Sequence, residues 1–446
     1  MKLVANIRHW RAGIVVAFFL FVYGPAARSA HRAGISQAHV DQKRQIVAEK
    51  SGSFPTRQGM TLHLILDRGD VVIRTQDAPR VDYHARVETS AGAGMELEPA
   101  NSLVVSGGST PVGVLLHAHA LDPAMWRTTC LWITLEVTIP RNYSVTVFTQ
   151  GGSIQAGDLR GRVSLVTGGG NISVGNIEGF AHLTTAGGHI TVMNVSGDLD
   201  AETGAGHLTA GNIAGSANLH TAGGHIRVAS AARGARLQTG GGNISLGSSG
   251  MGLVAQTGGG QIEVGEVQGP IRAFTEGGGI HIVNSKGPTL LQSGFGSIYL
   301  TQVDDGVHAQ TRAGGITAWL NPDTHLIKPC LLESGQGNIV VYLPAHLPLT
   351  IDATVQLGDQ RQIFVDPALG AKVTTGLGAG NTREVRAEAA MNGGGQVLRL
   401  RTVQGTIRIL LNDTNREATL SRQQMEELSK QLQEQLKAMQ KANPNQ

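Results

Sequence analysis

A glycine-rich hexamer recurs at a constant interval of eighteen residues through the middle of this 446-residue chain. If the aliphatic residue after the glycines is taken as the anchor of each copy, the anchors are Ile154, Ile172, Ile190, Leu208, Ile226, Ile244, Ile262, Ile280, Ile298 and Ile316. A Thr or Ser lies five residues before every anchor, from Thr149 to Thr311. Two degenerate copies end at Ile339 and Ile407. Such a strict period indicates one structural unit repeated many times.

Each repeat contains two pairs of apolar residues that alternate with polar ones. In the second copy these pairs are Ile172 with Val174 and Ala181 with Leu183. Alternation with a period of two is typical of a strand with one buried face, so each unit holds two short strands. Glycines cluster between the strands, where we expect corners with backbone conformations that other residues avoid. Because so small a unit cannot bury its apolar face alone, the units must stack.

The predicted fold is an all-β parallel β-helix: a β-solenoid of eighteen-residue coils with a β cap at each end and a short C-terminal helix. Parallel pairing places successive coils ~4.8 Å apart. Caps are required because an open last coil exposes unpaired strand edges. The predicted divisions are a signal peptide (1–29), a polar linker (30–55), an N-terminal β cap (56–148), the solenoid repeats (149–343), a C-terminal β cap (344–412) and a helical tail (413–446).

The first 29 residues have the form of a secretory signal peptide. Three basic residues (Lys2, Arg8 and Arg11) precede the apolar stretch 12–24, and Ser29 ends a run of small residues suited to cleavage. This stretch is shorter than the ~20 residues that span a bilayer as a helix, and an uncleaved signal acting as a membrane tether is the alternative. Removal of 1–29 changes the formal net charge from +3 to −1, which argues against nucleic acid as a partner.

The motifs of common cofactor and catalytic sites are absent from the sequence. Cys130 and Cys330 are the only cysteines, and their spacing fits no metal-binding motif. Whether the two cysteines pair is open at this level. The glycine-rich corners also lack the residues of calcium-binding repeats, phosphate-binding loops and serine hydrolases. We therefore predict no cofactor, no metal and no enzymatic activity.

The last residues have the pattern of an amphipathic helix. Ser421 and Gln424 form a capping box, and one apolar stripe follows at Met425, Leu428, Leu432, Leu436 and Met439. Such a helix either packs on the end of the solenoid or mediates self-association as a short coiled coil, and the sequence leaves both open.

Several segments resemble a bacterial β-solenoid family labelled "putative adhesin". The likeness is carried by "GDVVIRTQDAPRVDYHARV" (69–87), "LEVTIPRNYSVTVFTQGGSIQAGDLRG" (135–161), the T-x-G-G-x-I repeats, "GNIVVYLPAHLPLTIDATV" (337–355) and "GGGQVLRLRTVQGTIRI". It covers about residues 59–411 and is a match to a pattern. The resemblance implies an exported or membrane-tethered solenoid, and no catalytic residues are established for that family.

Two columns of polar residues recur beside the anchors. His189, His207 and His225 each precede an anchor in three consecutive coils. Stacked imidazoles are candidate zinc or copper ligands, but Asn, Gly, Gln and Ser fill the other coils, which favours a corner position chosen for its backbone conformation. Four residues after the anchors, a column rich in Asn runs from Asp158 to Gln302. It predicts a ladder of hydrogen-bonded side chains.

The strongest candidate for chemistry is a carboxylate cluster. Asp198, Asp200 and Glu202 lie two residues apart, so all three are expected to point outward from one strand. His182 lies one coil before Asp200, and His220 lies one coil after Glu202. Paired carboxylates on the outer wall of a β-helix suit sugar cleavage by an acid and a base, or a Ca²⁺ ion. The alternative is an ordinary solvated strand face.

Together these patterns predict an exported, non-enzymatic solenoid, adhesin-like in binding or serving as an envelope scaffold. The expected partners are extracellular or envelope polymers or proteins, and the expected location is the periplasm, the envelope or the cell surface. The alternative is a polysaccharide-active hydrolase or lyase that uses Asp198, Asp200 and Glu202. A third hypothesis is an envelope scaffold that an uncleaved signal tethers and the tail assembles.

Overall fold

The repeat folds into coils of two strands, which stack into two long sheets that face each other across an apolar core. The computed structural model describes residues 44–90, 103–120, 131–321, 328–357, 362–378, 382–411 and Lys430. The predicted signal peptide, Cys130 and the predicted helical tail apart from Lys430 lie outside these residues. Within them, no helix combines the length and the hydropathy needed to span a bilayer.

The N-terminal strands in the described ranges are β1 (Arg44–Pro55), β2 (Thr61–Leu66), β3 (Asp70–Gln76), β4 (Arg80–Ser90), β5 (Leu103–Thr110), β6 (Gly113–Ala120) and β7 (Leu131–Pro140). β2 and β3 pair in parallel with the first regular coil, and β6 and β7 pair in parallel outside β2 and β3. Antiparallel strands then extend both sheets at their N-terminal edges: β5 pairs with β6, β4 with β7, and β1 with β4. The outermost coil at this end, formed by β6 and β7, therefore follows the coil of β2 and β3 in the chain.

Residues 44–55, which the sequence analysis assigns to a polar linker, form strand β1 of this cap. The strand pairs with β4 along its whole length. Among its described side chains only Ala48 and Phe54 pack on the core, and Phe54 stacks on Tyr83 with ring centroids 5.9 Å apart. Because backbone pairing rather than an apolar face holds β1, its sequence lacks the alternation by which the other strands are recognised.

The regular coils form two sheets. Strands of the first, the threonine sheet, end at or just after the repeated Thr or Ser: β8 (Ser144–Thr149), β11 (Val163–Thr167), β13 (Ala181–Thr185), β15 (Leu199–Thr203), β17 (Ser216–Thr221), β19 (Gly234–Thr239), β21 (Leu253–Thr257), β23 (Ile271–Thr275), β25 (Thr289–Ser293), β27 (Val307–Ala313) and β29 (Cys330–Gln336). Strands of the second, the anchor sheet, start at the anchors, apart from the short β10: β9 (Ile154–Ala156), β10 (Leu159–Arg160), β12 (Ile172–Glu178), β14 (Ile190–Val195), β16 (Leu208–Ile213), β18 (Ile226–Ala231), β20 (Ile244–Ser249), β22 (Ile262–Val267), β24 (Ile280–Ser285), β26 (Ile298–Val303), β28 (Ile316–Leu320) and β30 (Ile339–Leu343).

Strands of neighbouring coils pair in parallel and in register. Ile172 lies opposite Ile190 in the anchor sheet, and Thr167 lies opposite Thr185 in the threonine sheet. Every anchor side chain is in the core and at most 1 % exposed. Burial of one such side chain contributes ~1.5–3 kcal/mol. The few apolar side chains of a single coil cannot offset the conformational entropy lost when its residues are ordered. The predicted β-solenoid is thus confirmed, and each coil depends on its neighbours.

The repeated Thr side chains are also buried and form a hydrogen-bonded ladder between coils. The hydroxyl of Thr221 donates to the carbonyl oxygen of Gly206 in the preceding coil at 2.9 Å and accepts the backbone N–H of Gly224 at 3.2 Å. The same donation recurs along the column, from Thr167 to Thr402, at 2.7–3.0 Å. The hydroxyl at this position therefore links each corner to the one before it, a role that the sequence analysis did not assign.

The last glycine of a corner is required because neighbouring coils approach closely. Gly206 and Gly224 are not in the left-handed region, but a Cβ on either would overlap the carbonyl oxygen of the corresponding glycine one coil earlier. The expectation that corner glycines serve mainly an unusual backbone conformation is therefore wrong at these positions. At Gly152, where φ is +117°, both reasons apply.

The C-terminal cap contains β31 (Leu349–Val355), β32 (Ile363–Val365), a 3-10 helix (Pro367–Leu369), β33 (Lys372–Leu377), β34 (Arg383–Met391), β35 (Gln396–Gln404) and β36 (Ile407–Leu411). β35 and β36 pair in parallel with β29 and β30, and β31 and β32 pair outside them. The degenerate copy ending at Ile407 is therefore the next coil of the solenoid, although β31 to β34 precede it in the chain. At this edge of the threonine sheet, β34 pairs antiparallel with β31, and β33 pairs antiparallel with β34.

Candidate binding face

The outer surface of the threonine sheet carries two columns of side chains in register, which we call the lateral face. One column contains Thr146, Ser164, His182, Asp200, Asn218, Arg236, Val254, Arg272, Leu290 and His308. The other contains Phe148, Val166, Thr184, Glu202, His220, Gln238, Gln256, Phe274, Gln292 and Gln310. Strand alternation turns these side chains outward, and the coil spacing of ~4.8 Å sets their separation along the rod.

Asp200 is tied to side chains in both neighbouring coils. Its Oδ2 lies 3.1 Å from Nδ1 of His182, and its Oδ1 accepts a hydrogen bond from the side-chain amide of Asn218 at 2.9 Å. The side chains of Asp200 and His182 are 53 % and 52 % exposed. A pair this exposed is screened by water and contributes little to stability, so these contacts orient the carboxylate rather than hold the fold together.

Asp198 and Glu202 occupy different settings from each other. Asp198 precedes β15, and its Oδ1 accepts the backbone N–H of Ser216 at 2.8 Å. Glu202 is exposed on β15, and its register partner in the next coil is His220. The structure thus brings Asp200 together with His182 and places Glu202 opposite His220, whereas Asp198 stabilises a corner.

The three histidines beside the anchors form a stack along the rod. Ring centroids are 4.8 Å apart for His189 and His207 and 4.9 Å apart for His207 and His225, with nearly parallel rings. Nδ1 of each ring accepts the backbone N–H of the same position one coil later, at 2.8–2.9 Å. Asn171 and Asn243 use their side-chain oxygens in the same way.

This geometry corrects the interpretation of the column as a left-handed corner. Asn392 is the one non-glycine residue with positive φ in the described part of the chain, so an acceptor for the next coil's N–H is what the column supplies. Bonding through Nδ1 leaves the proton on Nε2, and parallel rings cannot converge on one ion. Across the described ranges, no group of three or more His, Cys, Asp or Glu side chains is arranged to hold a metal ion.

The stack predicts a pH-dependent stability. Desolvation lowers the pKa of His207, as do the neighbouring His189 and His225 and, to a smaller extent, Arg227. Between that lowered pKa and the value of about 6.5 in the unfolded chain, the unfolded state binds more protons. Stability is therefore expected to fall as the pH drops through this window, because a doubly protonated ring also loses its Nδ1 acceptor.

Thermal unfolding at pH 8, 7, 6 and 5 tests this expectation on the wild type and on His207→Asn. Asparagine keeps an acceptor at the position and does not titrate, so the variant is expected to lose less melting temperature between pH 7 and 5. Identical pH profiles would contradict a titrating role for His207. His308→Asn, a change on the exposed lateral face away from the stack, is the matched control and is expected to leave the profile unchanged.

The Asn-rich column forms the predicted ladder over its first coils. Side-chain amides of Asn176, Asn194 and Asn212 each donate to the acceptor one coil earlier at 2.7–3.1 Å, and Ser230 donates to Asn212 at 2.8 Å. The chain of bonds starts at Asp158. This part of the column is therefore structural, as the sequence indicates.

Cys330 is a core residue. It is 3 % exposed, and burial raises the pKa of its thiol to about 11. A buried, protonated thiol is a poor nucleophile, and its contacts are those of a small apolar side chain in β29.

Comparisons with known proteins add little to this description. Neither protein-family models nor curated proteins gave a match. Among solved structures, the chain is similar to a "putative cell adhesion protein" from Clostridium sporogenes, with 9 % sequence identity, 82 % of this chain and 99 % of the other covered, and a TM-score of 0.15. A likeness at that TM-score carries no argument. The resemblance to the "putative adhesin" family therefore rests on the sequence segments alone.

Proposed function

We propose that this chain is an exported, non-enzymatic protein that binds a polymer or protein of the cell envelope or the extracellular space through its lateral face. The supporting observation is the register of the two outward columns over consecutive coils. A rigid surface that repeats every ~4.8 Å engages a repetitive partner at many points at once. Many weak contacts then add up to useful avidity without one dominant residue.

The hydrogen bonds of the carboxylate cluster favour binding over catalysis. Hydrolysis of a glycosidic bond by paired carboxylates needs one group free to donate a proton and one free to act as base or nucleophile. Asp198 accepts the N–H of Ser216, and Asp200 is bonded to His182 and Asn218. Of the three carboxylates, only Glu202 has no such hydrogen bond in the geometry described above.

Export is proposed from the signal-like residues 1–29, and protease treatment of intact cells tests it. Cells expressing a C-terminally tagged copy are shaved and compared with lysed cells. Loss of the tag from intact cells would support display on the surface, and protection until the envelope is opened would support a periplasmic scaffold. A tag that stays in the cytoplasmic fraction after lysis would contradict export.

Binding through the lateral face is tested with purified mature chain and a washed cell-envelope fraction in a sedimentation assay. Single alanine substitutions at Asp200, Asn218, Gln256 and Gln292 are expected to weaken binding less than about threefold, because each of these weak contacts contributes about 0.5 kcal/mol. A sixfold variant is expected to weaken it more than about thirtyfold. Its substitutions to alanine are at Asp200, Asn218, Arg236, Gln256, Arg272 and Gln292.

The matched control carries six alanine substitutions on the outer face of the anchor sheet, at Ser173, Thr191, Thr209, Arg227, Ser245 and Glu263. It is expected to bind like the wild type. Equal loss in both sixfold variants would argue against the lateral face. Release of reducing ends from envelope polysaccharide by the wild type, abolished in Asp200→Asn, would instead support the hydrolase alternative.

A further inference from the structure

The lateral face contains a shallow depression that combines apolar, amide and cationic side chains. A volume of about 320 Å³ is lined on three consecutive coils by the side chains of Val254, Gln256, Arg272, Phe274, Leu290 and Gln292. Val254, Arg272 and Leu290 follow one outward column, and Gln256, Phe274 and Gln292 follow the other. This volume is at the lower end of the range for small-molecule sites.

Charge around the depression is positive. Arg272 is exposed at its centre, and Arg236 is exposed two coils earlier in the same column, ~9.6 Å away by the coil spacing. Neither guanidinium forms an ion pair with any residue that the structure describes. Between Asn218 and Gln310 the two outward columns contain no acidic residue, and the nearest acid along the strand is Glu276, at the corner beyond Thr275. The face here is complementary to an anion.

The other side chains of the depression suit a sugar. Phe274 is 38 % exposed, and its ring offers a negative π face to the C–H groups of a pyranose. Val254 and Leu290 extend the apolar floor along the other column, and the amides of Gln256 and Gln292 supply donors and acceptors for hydroxyl groups. Sites that bind and orient a small ligand usually combine an apolar floor with a few polar groups.

A peptide cannot bind here by adding a strand to the sheet. β21, β23 and β25 are each paired on both sides with neighbouring strands, so their backbone groups are already bonded and no strand can be added.

We propose that the depression is a binding subsite for a carboxylate-bearing polysaccharide that runs along the rod. Arg272 and Arg236 hold carboxylates of the polymer through the paired N–H groups of guanidinium. Phe274, on the same strand as Arg272, packs against a sugar ring of the polymer, and Gln256 and Gln292 bond its hydroxyl groups. The proposal rests on the proposed function in needing the lateral face to be a binding face, and it adds the position of the site and the class of ligand.

The test measures binding of full-length mature protein to polygalacturonate, alginate and hyaluronate, with dextran as the neutral polymer and poly-glutamate as the acidic peptide. At least one acidic polysaccharide is expected to bind, and dextran and poly-glutamate at least tenfold more weakly. Arg272→Gln is expected to weaken binding about tenfold or more and Phe274→Ala about fivefold. Arg272→Lys, which keeps the charge without the planar fork, should fall between wild type and Arg272→Gln.

The matched control is Arg227→Gln on the outer face of the anchor sheet, expected to change affinity less than twofold. Melting temperatures of all variants establish that they are folded. If poly-glutamate binds as tightly as the acidic polysaccharides, the face responds to charge alone. If dextran binds as tightly, the arginines have no role in recognition. Either result, or no binding of any acidic polysaccharide, would overturn the proposal. In these cases a loss of envelope binding in the sixfold lateral variant would still support the proposed function.

Discussion

Replacing Gly206 with alanine is expected to destabilise the solenoid by about 3 kcal/mol, at the upper end of overpacking effects. The added Cβ would overlap the carbonyl oxygen of Gly188 and lie 2.8 Å from the backbone nitrogen of His189. Both atoms are backbone, so no side chain can rotate away, and relief requires that two coils separate. Separation would also weaken the hydrogen bond from Thr203 to Gly188, which is 2.7 Å long.

Gly223→Ala is the control, because Gly223 occupies a corner one coil later and a Cβ there meets no atom within 4 Å. Its effect is expected to stay within about 0.5 kcal/mol. Urea unfolding followed by circular dichroism measures both variants. If the two midpoints shift equally, close approach between coils is not what the last corner glycine provides.

Thr221→Val is expected to cost about 1–3 kcal/mol even though the two side chains have nearly the same shape. The methyl group cannot donate to Gly206 or accept from Gly224, and both backbone groups lie at a buried corner position. An unsatisfied buried polar group costs the full penalty of its desolvation. Thermal and urea unfolding are again the measurements.

The control for this substitution is Thr209→Val on the outer face of the anchor sheet. Thr209 is half-buried, and its hydroxyl makes no hydrogen bond within the described residues. Valine is well suited to a strand, so the change is expected to be neutral within about 0.5 kcal/mol. Comparable losses at positions 221 and 209 would mean that the ladder contributes nothing beyond the β-branched shape. Thr221→Ser should retain most of the stability, as Ser293 does naturally in the same column.

The ladders also explain why the lateral face is a suitable surface for binding. The buried hydroxyls of Thr221 and its equivalents fix the position of each corner relative to the one before it. His207 and Asn243, directly before the anchors, also join consecutive coils through their side-chain acceptors. Outward side chains such as Arg272 and Phe274 are therefore carried on strands whose separation is set by backbone pairing and corner bonds. Because the surface is already ordered, binding a partner loses little of the conformational entropy that a flexible surface would lose.

The core and the coil could be predicted from the sequence because both depend on spacing within the chain. Ile172 and Ile190 are eighteen residues apart, and parallel in-register pairing puts them in contact once the period is recognised. Asp200 and His182 follow from the same rule and do lie 3.1 Å apart. The partner of Asp198 was missed, because the position before a strand belongs to a corner, whose hydrogen bonds do not follow the alternation of the strand.

The sequence by itself determined the eighteen-residue coil, the identity of the core residues and the alignment of the outward columns, since these need only a local period and parallel stacking. The tertiary structure alone decided the order of coils at the two ends, where β35 and β36 lie inside β31 and β32, and the reason for glycine at Gly206. It also decided that Arg272 and Phe274 share one depression with residues of two other coils. These features depend on which segments become neighbours and on how closely their backbones approach, and distances across the chain are not contained in a repeat pattern.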